Sequence, residues 1–310
     1  MKGYAKPLHE FIEGHKIQFV IPVYQRNYDW LIDNCDQLFS DLVKLSRSNR
    51  CSHFFGSIVT SSADSSYNRL VIDGQQRLTT ISLLLLAGIK AVKAGAIEIS
   101  EESKIDEAYE VFLKAKFCNS ERKIKLVPIE NDRIAYDKIF NEEDSFDEDS
   151  KVTRNYRHFY DLLTRKPQAL SFDQLLDAIE RLQIISIELD SDDDAQLIFE
   201  SLNSTGLALT EADKIRNYLL MSLTPEEQQV CFKNYWQKIE QATENKPTKF
   251  LRDYLTIQQQ LQRPVRQSNI YYEWKKYMDG HERKDELVKM LDYAHYYQQV
   301  TEAKLSTAKL

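Results

Sequence analysis

Apolar residues recur along this chain at two different periods, and the switches between them mark out its elements. Residues 17–21, 53–60, 69–72 and 184–189 form short β-branched and aromatic runs or alternate apolar with polar, which predicts strands. The polar turn around residues 61–68 joins the second and third of these as a hairpin. Residues 30–45 place Leu31, Cys35, Leu38, Leu42 and Leu45 three and four apart, so an amphipathic helix is expected there. The helix beginning near Leu78 is apolar almost all round and should be buried against the sheet. A short helix is expected at residues 8–12.

Beyond Gly95 the helical period takes over. It shows in Ile105-Ala108-Val111-Phe112, in Ile134-Tyr136-Ile139-Phe140, in Tyr156-Phe159-Leu162-Leu163 and across residues 172–182. One strand candidate, residues 124–129, interrupts it. Helices at 195–202 and 211–221 follow, and from Pro225 onward the chain is helical and rich in Tyr, Gln and Lys. The expected class is α+β. A small mixed β-sheet core (residues 1–95 and 183–222) carries a helical insertion or lid at 96–182, so the first domain spans 1–222. A helical region, 223–310, completes the chain.

Composition narrows the class of function. Hydrophobic residues at 42% with 29% charged residues describe a soluble globular chain. The longest apolar run, residues 81–89, includes Ser82 and Gly88 and is far shorter than the ~20 residues of a membrane span. Cys35, Cys51, Cys118 and Cys231 are scattered, without zinc spacing or a secretory leader, which points to reduced thiols and a cytoplasmic location. The net charge of −7 argues against strong duplex binding by the chain as a whole. Basic groups that can line a local groove are Arg122, Lys123 and Lys125, then Arg263 and Arg266, then Lys275 and Lys276; each also reads as a solvated face.

Candidate chemistry concentrates in two segments. Val71-Ile72-Asp73-Gly74-Gln75-Gln76-Arg77-Leu78-Thr79-Thr80 reads as strand, tight turn and helix start. Such a junction presents backbone N–H groups and the positive end of a helix dipole, which suits an anion. Gly74 permits close approach, Arg77 offers a planar fork for phosphate oxygens, and Asp73 is a ligand for a divalent cation. The alternative is an ordinary Asp-Gly turn followed by a solvated arginine. The second segment, Ile21-Pro22-Val23-Tyr24-Gln25-Arg26-Asn27-Tyr28-Asp29-Trp30, is extended or turning because of Pro22. Its aromatics and polar heads either meet a base and its phosphates or anchor a loop. No nucleophile elbow, Walker A loop, dinucleotide fingerprint or histidine metal spacing occurs.

Four blocks together resemble the N-terminal domain of GmrSD-type, modification-dependent restriction enzymes. They are residues 21–30; Phe54-Phe55-Gly56-Ser57-Ile58-Val59; residues 72–80; and a block from Phe199 and Glu200 through Leu202, Asn203, Gly206 and Leu209 to Asp213-Lys214-Ile215-Arg216-Asn217. Order and spacing agree across roughly residues 5–225. The resemblance implies a fold similar to the ParB and sulfiredoxin type and an NTP-binding module, with GTP or ATP and Mg²⁺ as cofactors.

On that reading Arg77 and the N–H groups after Gly74 hold phosphates, with Arg26 and Lys214 adding positive charge. Asp73 holds Mg²⁺ or orients water, and Gln75 or Gln76 positions the attacking water. Tyr24 and Gln25 face base or sugar, while Thr79, Asn203, Asp213 and Asn217 complete the cofactor contacts by resemblance. Asn203 and Asp213 can equally be turn and cap residues. Expected partners are the nucleotide, DNA that is modified or not, an HNH-type nuclease on a longer protein or a separate chain, and, as one option, a second copy of this chain. No His-centred nuclease signature appears in residues 226–310, so the chain is expected to be a fragment or a stand-alone sensor. A competing reading from another class is a non-catalytic DNA- or protein-binding module on the same fold.

Overall fold

Two separate hydrophobic cores form, and they do not follow the order of the sequence. The computed structural model describes residues 1–48, 50–62, 67–118, 123–165, 170–190, 192–202 and 209–307. Unit 1 comprises Met1–Pro22 and Asn27–Asp193; unit 2 comprises Val23–Arg26 and Asp194–Leu310. Packing therefore divides the chain after Asp193, where the sequence pattern suggested residue 222.

Unit 1 is built around a mixed sheet. In chain order it contains β1 (Lys2–Pro7), α1 (Leu8–Ile12), β2 (Gln18–Val20), α2 (Ile32–Arg47), β3 (His53–Ser62), β4 (Asn68–Asp73) and α3 (Gln75–Lys93). There follow α4 (Ser103–Ala108), which runs into a π turn at Tyr109–Leu113, then β5 (Leu126–Val127), α5 (Glu130–Phe140), α6 (Lys151–Thr164), α7 (Phe172–Glu180) and β6 (Leu182–Leu189). The strands lie in the order β1-β6-β3-β4-β2-β5. Pairing is antiparallel for β1 with β6 and β3 with β4, and parallel for the other neighbours. The fold is α+β, as the periodicity predicts.

Strand β1 was not anticipated because its first four residues are exposed, so no burial alternation marks it. Register shifts in β3 at Phe54/Gly56, against β6, and at Val59/Thr60, against β4, mark bulges, which re-aim the strand locally. Helix α3 is enclosed nearly all round: Leu83, Leu84, Leu85 and Ala87 have no exposed surface. A Cβ on Gly88 would lie 2.9 Å from Leu175 of α7, so the helices meet at a distance only glycine allows. Each fully buried leucine contributes roughly 1.5–3 kcal/mol, which makes α3 the anchor of this core. The region expected as a lid belongs to the same core. It supplies Leu113, Leu126, Tyr136, Phe159 and Leu175, and β5 closes one edge of the sheet.

Unit 2 is helical. It contains α8 (Ala195–Leu202), α9 (Glu211–Leu220), α10 (Pro225–Cys231), a π turn at Phe232–Trp236, α11 (Gln237–Ala242), α12 (Pro247–Gln258), α13 (Ile270–Tyr277) and α14 (Arg283–Thr307). Trp236, Tyr254, Phe250 and Trp274 fill its core, and Tyr24, arriving from the far N-terminal part of the chain, is enclosed among them. Helices α9 and α10 each begin with a Thr capping box, Thr210 with Asp213 and Thr224 with Glu227.

Candidate functional site

One residue separates strand β4 from helix α3, and that residue must be glycine. Gly74 has φ +96°, in the left-handed region. A Cβ there would also sit 3.0 Å from Ile58 Cγ1 and 3.2 Å from Ile58 Cα, so β3 leaves no room for a side chain. The turn is tight, and α3 starts with no side-chain cap. The first helical hydrogen bond runs from Leu78 N to Gly74 O at 3.1 Å. The N–H groups of the first turn therefore stand at the positive end of a 19-residue helix.

Arg77 lies across β3 rather than projecting into solvent. Its Nη1 donates to Ser57 O at 3.1 Å. A Cβ on Gly56, which has φ +118°, would come within 2.5 Å of Arg77 Nε and 2.8 Å of Cζ. The glycine of the Phe54–Val59 block thus leaves a seat for a guanidinium. Asp73 Oδ2 stands 3.9 Å from Nη1, at the limit of an ion pair, with Arg77 30% and Asp73 25% exposed. A pair this long and this open contributes little to folding. Arg77 is oriented by Gly56 and Ser57, while its Nε and Nη2 have no acceptor among the described residues. Oriented donors beside a carboxylate are what a phosphate with a divalent cation would meet.

Gln76 holds the neighbouring loop. Its Oε1 accepts from Asp29 N at 2.8 Å and Trp30 N at 3.2 Å, and its Nε2 donates to Asn27 O at 3.3 Å. Both ends of the amide are engaged with backbone, so the structure gives Gln76 an anchoring task where the sequence suggested water positioning. Gln75 and Thr79 are both buried. One turn further, Tyr28 Oη lies 2.7 Å from Thr80 Oγ1 and accepts from Asn155 Nδ2 at 2.9 Å; the same Nδ2 donates to Trp30 O. Asp132 Oδ2 accepts from Tyr28 N at 2.6 Å. Burial pushes the Asp132 carboxyl up to about 6, the Asp29 charge adds to the rise, and the Tyr28 N–H opposes it. Lys151 pairs with Asp29.

The other expected site residues belong to unit 2 and are largely engaged with one another. The ring of Tyr24 is 2% exposed and Gln25 is also buried, so neither presents a face on which a base can stack. Tyr24 O accepts from Arg216 Nε at 2.8 Å. With its amide nitrogen turned toward the acceptors, Asn217 donates to Tyr24 O at 2.5 Å and Asp213 O at 3.3 Å. Arg216, 8% exposed, also reaches Asp213 at 2.8 Å and Glu240 at 3.0 Å, and Trp236 Nε1 donates to Glu240 at 2.7 Å. Asp213 caps α9 with Thr210, and Lys214 pairs with Glu211 at 2.7 Å. Arg26 is half-buried. Asn203 and Gly206 lie outside the described residues.

The surface groups expected to form a basic groove divide similarly. Lys125 is fully buried, donating to Val111 O at 2.6 Å, and burial brings its ammonium down to about 8. It closes the carbonyl end of the π turn and offers nothing to DNA. Lys123 donates to Cys118 O, and Lys275 and Lys276 pair with Glu200 and Glu273. Arg122 lies outside the described residues. Sequence reasoning missed Ser57, Asn155, Asp132 and Glu240 as supports. Each acts on a partner far away in the chain, so no local signal marks it.

No helix among the described residues is long and apolar enough to cross a membrane. No group of three or more His, Cys, Asp or Glu among them is placed to hold a metal, so a Mg²⁺ at Asp73 would need phosphate oxygens for the rest of its shell. Among curated proteins, none matches this chain. The family model for the GmrSD restriction endonuclease, N-terminal domain, matches residues 8–220, a span that contains all four blocks and ends with α9. On the strength of that match, the chain belongs to the family of GmrSD restriction endonuclease N-terminal domains.

Proposed function

We propose that this chain is the nucleotide-responsive module of a restriction system that defends against phage DNA, and that the turn at residues 73–77 binds the phosphates of GTP or ATP. The observation that carries this reading is the seating of Arg77 over Gly56, with Nε and Nη2 meeting no acceptor among the described residues, beside a helix start without a side-chain cap. A guanidinium held in one orientation presents its remaining donors as a fork that fits phosphate oxygens. Asp73 would hold Mg²⁺ against the phosphates, and the ion would neutralise charge there. Arg77 would stabilise charge developing on the transferred phosphoryl group.

Turnover is the finer part of the proposal. Gln76 is engaged with the loop at residues 27–30, which leaves Asp73 to orient water. That engagement also favours a second reading, in which the module binds nucleotide or DNA phosphate without hydrolysing it. Phosphate release with GTP, ATP, CTP and UTP, with and without modified DNA, separates the two. Binding at the turn is tested by Arg77→Ala, which should abolish the nucleotide-binding event at residues 73–77 while leaving the melting temperature near wild type. Unchanged nucleotide affinity in that variant would overturn the assignment of the turn.

A further inference from the structure

Unit 2 contains a cavity of about 630 Å³ that only the last of the four sequence blocks reaches, at residues 210–213, and whose basic residues lie outside all four. We propose that it is a binding site for a phosphorylated small molecule of nucleotide size, separate from the turn at residues 73–77 and not dependent on that assignment. Its wall carries Lys246, Lys249 and Arg252, together with Thr248. The ammonium groups of Lys246 and Lys249 have no ion-pair or hydrogen-bond partner among the described residues. Among the described residues the Arg252 guanidinium pairs with its neighbour Asp253, through Nε and Nη2 at 3.3 and 3.2 Å, and Nη1 has no acceptor.

Two carboxylates also line the cavity, Asp213 and Glu240; they share the single charge of Arg216, so they offset one of the two lysines and not both. The unbalanced charge of the wall is therefore positive, in a chain whose net charge is −7. Ala212, Pro247 and Ile270 give it an apolar side as well. A concave site of this volume, lined by apolar residues together with a few charged ones, falls within the ~300–1,000 Å³ range of small-ligand pockets. Cations answer phosphate, and the apolar side answers the organic group that carries it.

The cavity also has a route to the Tyr24 segment. Its carboxylates hold Arg216, and Arg216 with Asn217 holds the Tyr24 carbonyl. An anionic ligand beside Asp213 and Glu240 would bear on the same clamp.

The test is titration calorimetry of the full chain with inorganic triphosphate and with ATP, comparing wild type, Lys246→Ala/Lys249→Ala, and Arg77→Ala. Both lysines are exposed, so their loss leaves folding intact. The double variant should weaken one binding event at least about tenfold, since two charge-assisted contacts are removed together. That event should persist in Arg77→Ala, which separates it from the turn. Identical isotherms for wild type and the double variant would overturn the proposal. Competition by short duplex DNA, lost in the double variant and steeply salt-dependent, would overturn it differently, by making the ligand a DNA backbone rather than a small molecule.

Discussion

Two helix starts in this chain carry polar blocks that look alike in sequence, yet they are built on opposite principles. At α9 the polar side chains satisfy one another. Asp213 returns to the Thr210 backbone, Arg216 is shared among Asp213, Glu240 and Tyr24 O, and Lys214 is paired. At α3 the capping position is a glycine without a side chain, and Arg77 is held by one carbonyl with two donors left over. A closed set of partners makes a scaffold, whereas an open set makes a site. The comparison explains why a polar motif cannot be assigned a role from residue types alone.

The largest effect expected from breaking this contrast is on the closed side. Arg216→Ala would remove a buried guanidinium that the half-buried Asp213 and Glu240 carboxylates and the Tyr24 carbonyl share. Three charge-assisted bonds are lost at once, each worth about 1.5–3 kcal/mol and part of it recovered by the donors that remain, so a loss on the order of 3–5 kcal/mol and a marked fall in the urea midpoint of unfolding are expected. Gly74→Ala should come next, at roughly 3 kcal/mol. It combines left-handed strain with a Cβ pressed on the Ile58 backbone. A melting temperature within a degree of wild type would show that the turn relaxes and that close approach to β3 is dispensable.

A pH experiment reaches the loop that Gln76 holds. Asp132 titrates near 6 when folded, against 3.8 as its ordinary value. Between those values the folded state keeps a proton that the unfolded state releases, so this group's contribution is complete below about pH 4 and is lost as pH rises through 6. Asp132→Asn keeps an oxygen for Tyr28 N and removes the buried charge. It should gain stability relative to wild type across pH 4–6, on the order of 2 kcal/mol. A constant offset at every pH would assign the burial cost to something other than the Asp132 charge.

Much of this architecture is legible in the sequence because burial has a period. Helices α2 and α3 and strands β3, β4 and β6 follow their apolar patterns to within a few residues. Strand β1 does not, since an exposed edge strand has no buried face to betray it. The division of the units also escaped, because Tyr24 packs with residues nearly two hundred positions away and no window along the chain sees that distance. At the site, Gly56 signals close approach, but nothing local says that Arg77 is what approaches. The Asp-Gly-Gln-Gln-Arg order marks where to look. Which of its side chains are free and which are engaged is decided by β3 and by the loop at residues 27–30.

The smallest change in folding, and the sharpest probe of the contrast, is expected at Arg77. Its hydrogen bond to Ser57 O is a single contact at a part-exposed position, and the Asp73 contact is long. Arg77→Ala should therefore cost less than about 1 kcal/mol, several times less than Arg216→Ala. Arg77→Lys keeps the charge but loses the flat fork that lies over Gly56, so it should fold normally and recover only a fraction of phosphate affinity. The ratio of the two stability losses is the decisive quantity. If the alanine variants at 77 and 216 unfold at the same urea concentration, Arg77 is as structural as Arg216, and the open helix start is no more a site than the closed one.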